Sequence, residues 1–200
     1  MPRTTPSSRG DNAREMILEA ACIALRSTPA ATLTVDAIAK HAGCAKGLVH
    51  YHFKTKNRLL AEAAKAIWLK RAAEWGQALH AAPAEDGIQK GWNLLVAEAT
   101  AGITKACASL AVLPDQQTGQ AVSEGVADYT VKLASAVSDL FGAVGLAPSV
   151  PKGDLAKLAL AVFTGLSELL VAGADPAELE GAYTAFWAAA LSLSVPAHGA

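Results

Sequence analysis

The chain has 200 residues, of which 52% are hydrophobic and 18% are charged. This composition excludes an intrinsically disordered chain, and the longest apolar run, residues 158–166, is too short to cross a bilayer. The formal net charge of −1 hides an uneven distribution. Residues 1–60 carry nine basic and four acidic side chains, a balance of +5, whereas residues 61–200 carry eight and fourteen, a balance of −6. The asymmetry indicates that the N-terminal part meets a polyanion.

The cysteines and the first residues indicate the cellular compartment. Cys22, Cys44 and Cys107 are widely spaced and form no CxxC motif, so we expect neither a disulfide framework nor a zinc site. The first ten residues lack the apolar segment of a secretory signal. We therefore expect a soluble, cytoplasmic protein without a cofactor or membrane partner.

Four helices are predicted in the first 80 residues. Apolar side chains recur three and four positions apart from residue 12 to the proline at position 29. Thr34 is a good N-cap for a second helix, over residues 34–43. A short third helix is predicted over residues 45–52, and a long fourth helix over residues 55–79.

Helical periodicity continues to the end of the chain. Helices are predicted over residues 88–110 and 119–144, and two more follow the break at residues 150–153. Asp175 and Pro176 supply an N-cap and the first helical residue of the last one. The pattern predicts an all-α fold of about nine helices.

The last two predicted helices are unusually apolar. Residues 155–172 are apolar on nearly every face, and the final helix carries a wide apolar stripe. Pairing both with their copies in a second subunit would remove this surface from water, at about 25 cal/mol per Å². A two-fold homodimer is favoured over a monomer that packs these helices internally. The predicted interface is formed by Leu158, Val162, Leu166, Leu170, Tyr183, Phe186, Trp187 and Ala190.

Residues 34–52 have the layout of a helix-turn-helix motif. Gly43 can take the positive φ that lets the chain turn between the two helices. Val49 and Phe53 lie four residues apart and would face the small core of this domain. The positions then available to DNA, on the outer face and at the start of the next helix, are Lys46, Gly47, His50, Tyr51, Lys54 and Lys56.

The segment from Thr34 to Leu60 resembles the DNA-binding signature of the tetracycline-repressor (TetR) family of bacterial regulators. Ala42–Gly43, Lys46–Gly47 and His52–Phe53 carry much of the resemblance. It implies that the third helix enters the major groove, and that the second and fourth helices grip phosphates at their N-terminal ends. Ala45 and His50 depart from a frequent serine and a frequent tyrosine. The DNA-binding residues that it implies are Thr34, Ala45, Lys46, Gly47, Leu48, His50, Tyr51 and Lys56.

The resemblance also implies a domain organisation. We expect a three-helix helix-turn-helix domain over residues 1–60, with residues 1–10 as a flexible basic arm, and a helical effector-binding and dimerisation domain over residues 61–200. A small, largely apolar effector would bind among the middle helices and change the separation of the two DNA-binding domains. For each candidate lining residue, a plain core or surface position is the alternative. These candidates are Trp92, Glu98, Thr100, Thr104, Cys107, Tyr129, Phe163 and Glu168.

The function implied is a ligand-responsive repressor that binds a palindromic operator as a dimer. An activator or an effector-independent regulator remains an alternative function, as does a helical small-molecule-binding protein or enzyme.

The chain has no GxSxG or HExxH motif, and the spacing of a phosphate-binding loop is absent. His50 and His52 would point about 200° apart on a helix, which disfavours a shared metal ion. We also hypothesise that a protonated His50 attracts the DNA backbone and makes binding pH-dependent.

Overall fold

The structure, a computed structural model, describes residues 6–80 and 83–197. Within these ranges it contains nine α-helices and two short strands, so the predicted all-α class is confirmed. The helices are α1 (Pro6–Ala24), α2 (Val35–His41), α3 (Lys46–Phe53), α4 (Lys56–Leu79), α5 (Ala84–Thr100), α6 (Ile103–Ala111), α7 (Gln116–Ala143), α8 (Lys152–Val171) and α9 (Pro176–Ser192).

The helices differ most from the sequence prediction at two places. Helix α1 begins at Pro6, so residues 6–10 of the predicted flexible arm are helical, and residues 1–5 of that arm lie outside the described residues. The single helix predicted over residues 88–110 is divided into α5 and α6. Gly102 follows the end of α5 with φ of +76°, a conformation that glycine adopts without steric cost.

A short antiparallel pair of strands was not predicted. Strand β1 (Leu146–Pro148) pairs with β2 (Ser194–Pro196), with Ala147 opposite Val195. Three residues per strand are too few for an alternating hydrophobic pattern to be recognised in the sequence.

The chain folds into two compact units. Unit 1 comprises Met1–Ile67 and Lys105–Gly125, and unit 2 comprises Trp68–Thr104 and Val126–Ala200. Helices α4 and α7 each contribute residues to both units. The functional boundary predicted at residue 60 stays a prediction.

The core of unit 1 forms where α1 packs on α2 and α3. Phe53 at the end of α3 is fully buried. The Arg14 guanidinium lies 5.1 Å from the centre of its ring and also forms an ion pair with Glu62 of α4. Apolar side chains from every nearby element complete this core: Ile17, Ala21, Leu25, Leu33, Ile38, Val49, Leu59, Leu60 and Leu110.

The core of unit 2 is rich in aromatic side chains. Helix α8 packs against α5 and α9, and its Phe163 stacks on Trp75 with ring centres 4.7 Å apart. The Tyr183 hydroxyl donates a hydrogen bond to the Ile88 carbonyl oxygen at 3.0 Å, and burial raises the pKa of this phenol far above its usual range. We call the following residues the aromatic cluster: Trp75, Trp92, Phe163, Tyr183, Phe186 and Trp187.

Candidate nucleic-acid interface

Helix α2 begins at a capped turn. Thr34 is the N-cap, and its Oγ1 accepts a hydrogen bond from the Ala37 N–H at 3.1 Å. This bond satisfies one of the amides that the first turn of a helix leaves without a partner. Thr34 is exposed, and its own O–H is still available to donate to a phosphate.

The turn between α2 and α3 is a Schellman motif. The Cys44 N–H donates to the Ala39 carbonyl oxygen at 3.0 Å, and the Gly43 N–H donates to the Lys40 carbonyl oxygen at 3.2 Å. Gly43 takes φ of +64°, as predicted. These bonds fix the point at which the chain leaves α2 and therefore where α3 starts.

Helix α3 divides its side chains between the core and the solvent. Val49 and Phe53 are buried, as predicted, and Leu48 is half-buried. Ala45 precedes the helix as an N-cap residue without a side-chain hydrogen bond. The predicted DNA-contacting face is exposed in the unbound chain and consists of Lys46, Gly47, His50 and Tyr51.

Lys54 follows the end of α3; the helix-turn-helix layout places it among the positions available to DNA, although the set implied by the resemblance leaves it out. Lys54 has φ of +64° and is the only described residue other than glycine with positive φ. Its ammonium lies 5.4 Å from the centre of the Tyr51 ring, and its carbonyl oxygen lies 3.4 Å from His50 Nδ1. Lys54 therefore belongs to the same exposed surface as His50 and Tyr51.

The start of α4 adds a further cation. The Thr55 hydroxyl accepts a hydrogen bond from the Arg58 N–H at 3.1 Å. Lys56 Nζ donates to the Ala31 carbonyl oxygen at 3.0 Å. A phosphate contact by Lys56 therefore requires its ammonium to leave that carbonyl oxygen or to share its protons with it.

An acidic side chain lies at the edge of this basic surface. Between Thr34 and Lys56 the chain has four lysines, three histidines and a single acid, Asp36. Asp36 Oδ2 lies 3.1 Å from the Nζ of Lys46, the first residue of α3. Nothing in the local sequence pattern links these two residues, because they are ten positions apart on different helices.

The predicted effector residues fall into separate surroundings. Glu98 is buried and forms two hydrogen bonds with Arg71, at 2.9 and 2.8 Å. The Arg71 guanidinium lies 4.9 Å from the centre of the Trp68 ring and 5.3 Å from that of Tyr129. Sequence reasoning missed Arg71, because its partner Glu98 lies 27 positions along the chain.

The remaining effector candidates divide by exposure. Thr104 is buried, and Trp92 and Phe163 belong to the aromatic cluster. Thr100 and Glu168 are exposed, and the Thr100 hydroxyl donates to a carbonyl oxygen of its own helix at 2.8 Å. Neither side chain is enclosed within unit 2. Cys107 is buried in unit 1, whereas the other candidates belong to unit 2.

The residues of the predicted dimer interface differ in their burial within unit 2, and the interface itself stays a prediction. Five of its residues are buried inside unit 2, where they have little surface to offer a second subunit, while Val162 and Leu170 are half-buried. Leu158 is 47% exposed, and Leu169 of the same helix is 50% exposed. The apolar stripe of α9 was correctly recognised, but it faces its own chain. The five buried residues are Leu166, Tyr183, Phe186, Trp187 and Ala190.

Unit 1 also contains a polar groove between α4 and α7, with a volume of about 410 Å³. Lys65 Nζ pairs with Glu124 across it at 3.1 Å. A hydrogen bond from Gln120, together with the Lys65 ammonium, lowers the pKa of the Glu124 carboxyl. No local pattern indicates this groove, since its two walls lie far apart in the chain. They are formed by Arg58, Ala61, Glu62, Lys65, Gln117, Gln120, Ala121 and Glu124.

Comparison with known proteins identifies the helix-turn-helix segment. Residues 17–63 match the family model described as bacterial regulatory proteins of the tetR family. The matched residues include the whole helix-turn-helix motif of α2 and α3. No curated protein has significant sequence similarity to it.

Solved structures share the TetR fold over nearly the whole chain. A Rhodococcus sp. protein assigned as a TetR-family transcriptional regulator is 18% identical, with a TM-score of 0.75, and the match covers 90% of this chain and 99% of that one. A similarly assigned protein from Mesorhizobium loti is 21% identical with the same TM-score of 0.75, and covers 96% and 99%. The SmeT–triclosan complex is 17% identical with a TM-score of 0.63, and covers 94% and 96%.

The family and these structural neighbours are described as transcriptional regulators, and the match of the helix-turn-helix segment to that family supports DNA binding. In the described part of the chain no single helix is long and apolar enough to cross a membrane, although α5 and the bent continuation α6 pass that test together by length and composition.

Proposed function

We propose that this protein is a TetR-family regulator, a cytoplasmic repressor that binds a palindromic operator as a homodimer. The observation that carries the proposal is the division of α3. Val49 and Phe53 anchor the helix in the core, while Lys46, Gly47 and Tyr51 stand exposed on the opposite face. Two such helices, one per subunit, would enter successive major grooves about one helical turn apart.

Lysine–phosphate contacts would supply much of the affinity. Lys54 and Lys56 lie at the junction of α3 and α4, close to the amides of the first turn of α4, which favour an anion. Each phosphate neutralised releases counterions, so affinity should fall steeply as salt increases.

For the dimer we propose the outward faces of α8 and α9. On α8 the exposed residues Leu158, Ala161, Gly165 and Leu169 follow helical spacing and form one apolar stripe. On α9 the exposed Gly181 and several alanines allow close approach of a second helix. Burial of this surface in a two-fold contact would replace the interface first predicted from the sequence.

We further propose that a small, largely apolar effector binds in unit 2 and releases the operator. SmeT, a structural neighbour, forms a complex with triclosan. In this chain, Trp92 and Phe163 of the aromatic cluster and the buried Arg71–Glu98 pair combine apolar surface with a few polar groups, the usual composition of ligand sites. An effector that prefers the state that does not bind DNA lowers operator affinity by its differential affinity for the two states.

The first experiment is selection of bound fragments from a random DNA pool by the purified protein, in about 150 mM salt. One enriched palindrome would support the proposal. Weak, uniform retention that disappears with added salt would contradict it. Tyr51→Ala and Lys46→Ala should abolish enrichment while the helical content stays unchanged. Lys90→Ala, which removes an exposed lysine of α5, is the matched control and should leave enrichment intact.

The effector is tested separately. Compounds that release the selected operator are titrated while tryptophan emission is recorded for the wild type and for Trp92→Phe. A Trp92-dependent change supports a site at the aromatic cluster. If releasing compounds leave the Trp92 contribution unchanged, the site lies elsewhere.

A further inference from the structure

We propose that Asp36 is a specificity-determining residue of the DNA interface, acting through Lys46. The inference rests on the proposed DNA-binding function. Asp36 is the only acidic side chain between Thr34 and Lys56, on a surface that otherwise presents lysines and histidines to a polyanion. Its carboxylate lies 3.1 Å from the Lys46 ammonium.

The pair has little to contribute to folding. The Lys46 side chain is 54% exposed and the Asp36 side chain is 67% exposed, and ion pairs between such exposed groups contribute little to stability. An acid at this position also weakens the general attraction of the surface for DNA. The pair therefore affects the choice between DNA sequences more than the stability of the fold or the overall affinity for DNA.

The geometry of the pair restricts what Lys46 can do. Lysine is a flexible point charge that pairs with any phosphate within reach. With one of its three N–H groups directed at Asp36, the Lys46 ammonium keeps two to donate to acceptors such as guanine O6 and N7 at the groove edge.

On DNA of the wrong sequence the same pair is unfavourable. Lys46 can neutralise a phosphate there only by leaving Asp36, and the Asp36 carboxylate then lies among phosphates without a counter-charge. Repulsion of this kind discriminates against wrong partners more than it strengthens the right one.

Binding of Asp36→Asn to the selected operator and to a scrambled duplex of equal length tests the inference, over about 50 to 200 mM salt. The variant should bind the scrambled duplex about three to ten times more tightly, with its salt slope steeper by about 0.9, as expected for one added phosphate contact. Operator affinity should change less, so that the ratio of the two affinities falls. Asp128→Asn makes the same change of charge at an exposed position of α7 and should leave the ratio unchanged.

A second arm asks whether Asp36 acts through Lys46. Lys46→Ala should itself remove the operator preference, so the readout in that background is the salt slope on the scrambled duplex, which Asp36→Asn should no longer steepen. If Asp36→Asn steepens the salt slope as much without Lys46 as with it, the inference is overturned. Equal changes in affinity for the operator and the scrambled duplex in the native background would also overturn it. If the wild type itself binds both duplexes equally, the proposed function fails as well. If the wild type prefers the operator and Asp36→Asn keeps that preference in full, only the role of Asp36 is rejected. Thermal unfolding of each variant confirms that the fold is retained.

Discussion

At position 47, alanine would make α3 more stable, whereas glycine lets the helix approach DNA more closely. The residue is exposed, and a Cβ built there meets no atom within 4 Å. Gly47→Ala should therefore leave the free energy of unfolding unchanged or raise it by up to about 1 kcal/mol. Against DNA the added methyl group should cost about 1–3 kcal/mol, or roughly 5- to 150-fold in operator affinity. Denaturant unfolding and operator titration measure the two effects.

Gly76 provides the control for this substitution. It lies in α4, and a Cβ there also meets no atom within 4 Å. Gly76→Ala should stabilise the fold to a similar extent and leave operator affinity unchanged. Equal operator affinity of Gly47→Ala and the wild type would show that α3 does not approach DNA closely at this residue.

Gly91 of α5 is constrained by packing within unit 2. A Cβ at this position would overlap the Tyr183 hydroxyl and lie 3.2 Å from Leu79 Cδ2 and 3.4 Å from Trp75 Cζ3. Gly91→Ala should therefore destabilise the protein by about 1–3 kcal/mol, as measured by denaturant unfolding.

Tyr183→Phe removes the one atom that overlaps. The double variant Gly91→Ala/Tyr183→Phe should consequently be more stable than the sum of the two single changes predicts. Simple additivity would show that the hydroxyl is not the source of the strain.

At the scale of one element, the start of α7 depends on a carboxylate. Asp115 Oδ2 accepts hydrogen bonds from the Thr118 hydroxyl at 2.7 Å and the Thr118 N–H at 2.8 Å. The Asn57 side chain donates to Oδ1 at 2.7 Å. The Thr118 hydroxyl, followed by its N–H, lowers the pKa of Asp115 below the usual value.

A lowered pKa in the folded state fixes the sign of the pH dependence. The stabilisation by Asp115 is fully present above its unfolded pKa, about 3.9, and is lost as pH falls through the lower folded value. Asp115→Ala should therefore reduce the unfolding free energy at pH 7, and its difference from the wild type should narrow below about pH 4. Asp128→Ala, in the middle of α7, should show no such narrowing. A constant difference for Asp115→Ala would rule out the carboxylate charge as the cause.

The pair formed by Arg71 of α4 and Glu98 of α5 is nearly enclosed, with side chains 11% and 1% exposed. Arg71→Met leaves the Glu98 carboxylate buried without its counter-charge and should cost about 3–5 kcal/mol. Replacing both residues, as Arg71→Met/Glu98→Leu, should cost less, because no buried charge remains. Denaturant unfolding of the two variants provides the comparison. A double variant at least as unstable as Arg71→Met would show that packing of the guanidinium matters more than charge balance.

The sequence predicts interactions between residues that are close together in the chain, and it does not predict those between distant residues. The Thr34 cap, the Gly43 turn and the Asp175–Pro176 helix start depend on neighbours within a few residues, and all are observed. The Asp36–Lys46 and Arg71–Glu98 pairs depend on how helices pack, and no local pattern encodes them. The apolar stripe of α9 was recognised, but periodicity cannot distinguish burial inside a chain from burial against a second one.

At the scale of the whole molecule, the proposed dimer makes stability depend on concentration. Leu169→Glu places a charge on the exposed face of α8 without disturbing the core, since Leu169 is half exposed. We expect a shift towards monomer in sedimentation velocity, a Tm that no longer rises with protein concentration, and operator affinity at least about ten-fold lower.

Val131→Glu makes the same kind of change on α7, where Val131 is 69% exposed, and is the control for an added negative charge. If Leu169→Glu stays as dimeric as the wild type, the subunits meet at another surface.

The positions of the four tryptophans have a consequence for spectroscopy. Trp68, Trp75, Trp92 and Trp187 are all buried, and all belong to unit 2. Indole emission therefore reports on unit 2, whereas the circular dichroism of the helices reports on both units. Helix α3, which we expect to touch DNA, contains no tryptophan. A change of indole emission when the operator is added, with no effector present, then originates in unit 2, which we expect to bind the effector. The size of that change measures how far DNA binding is communicated through the protein.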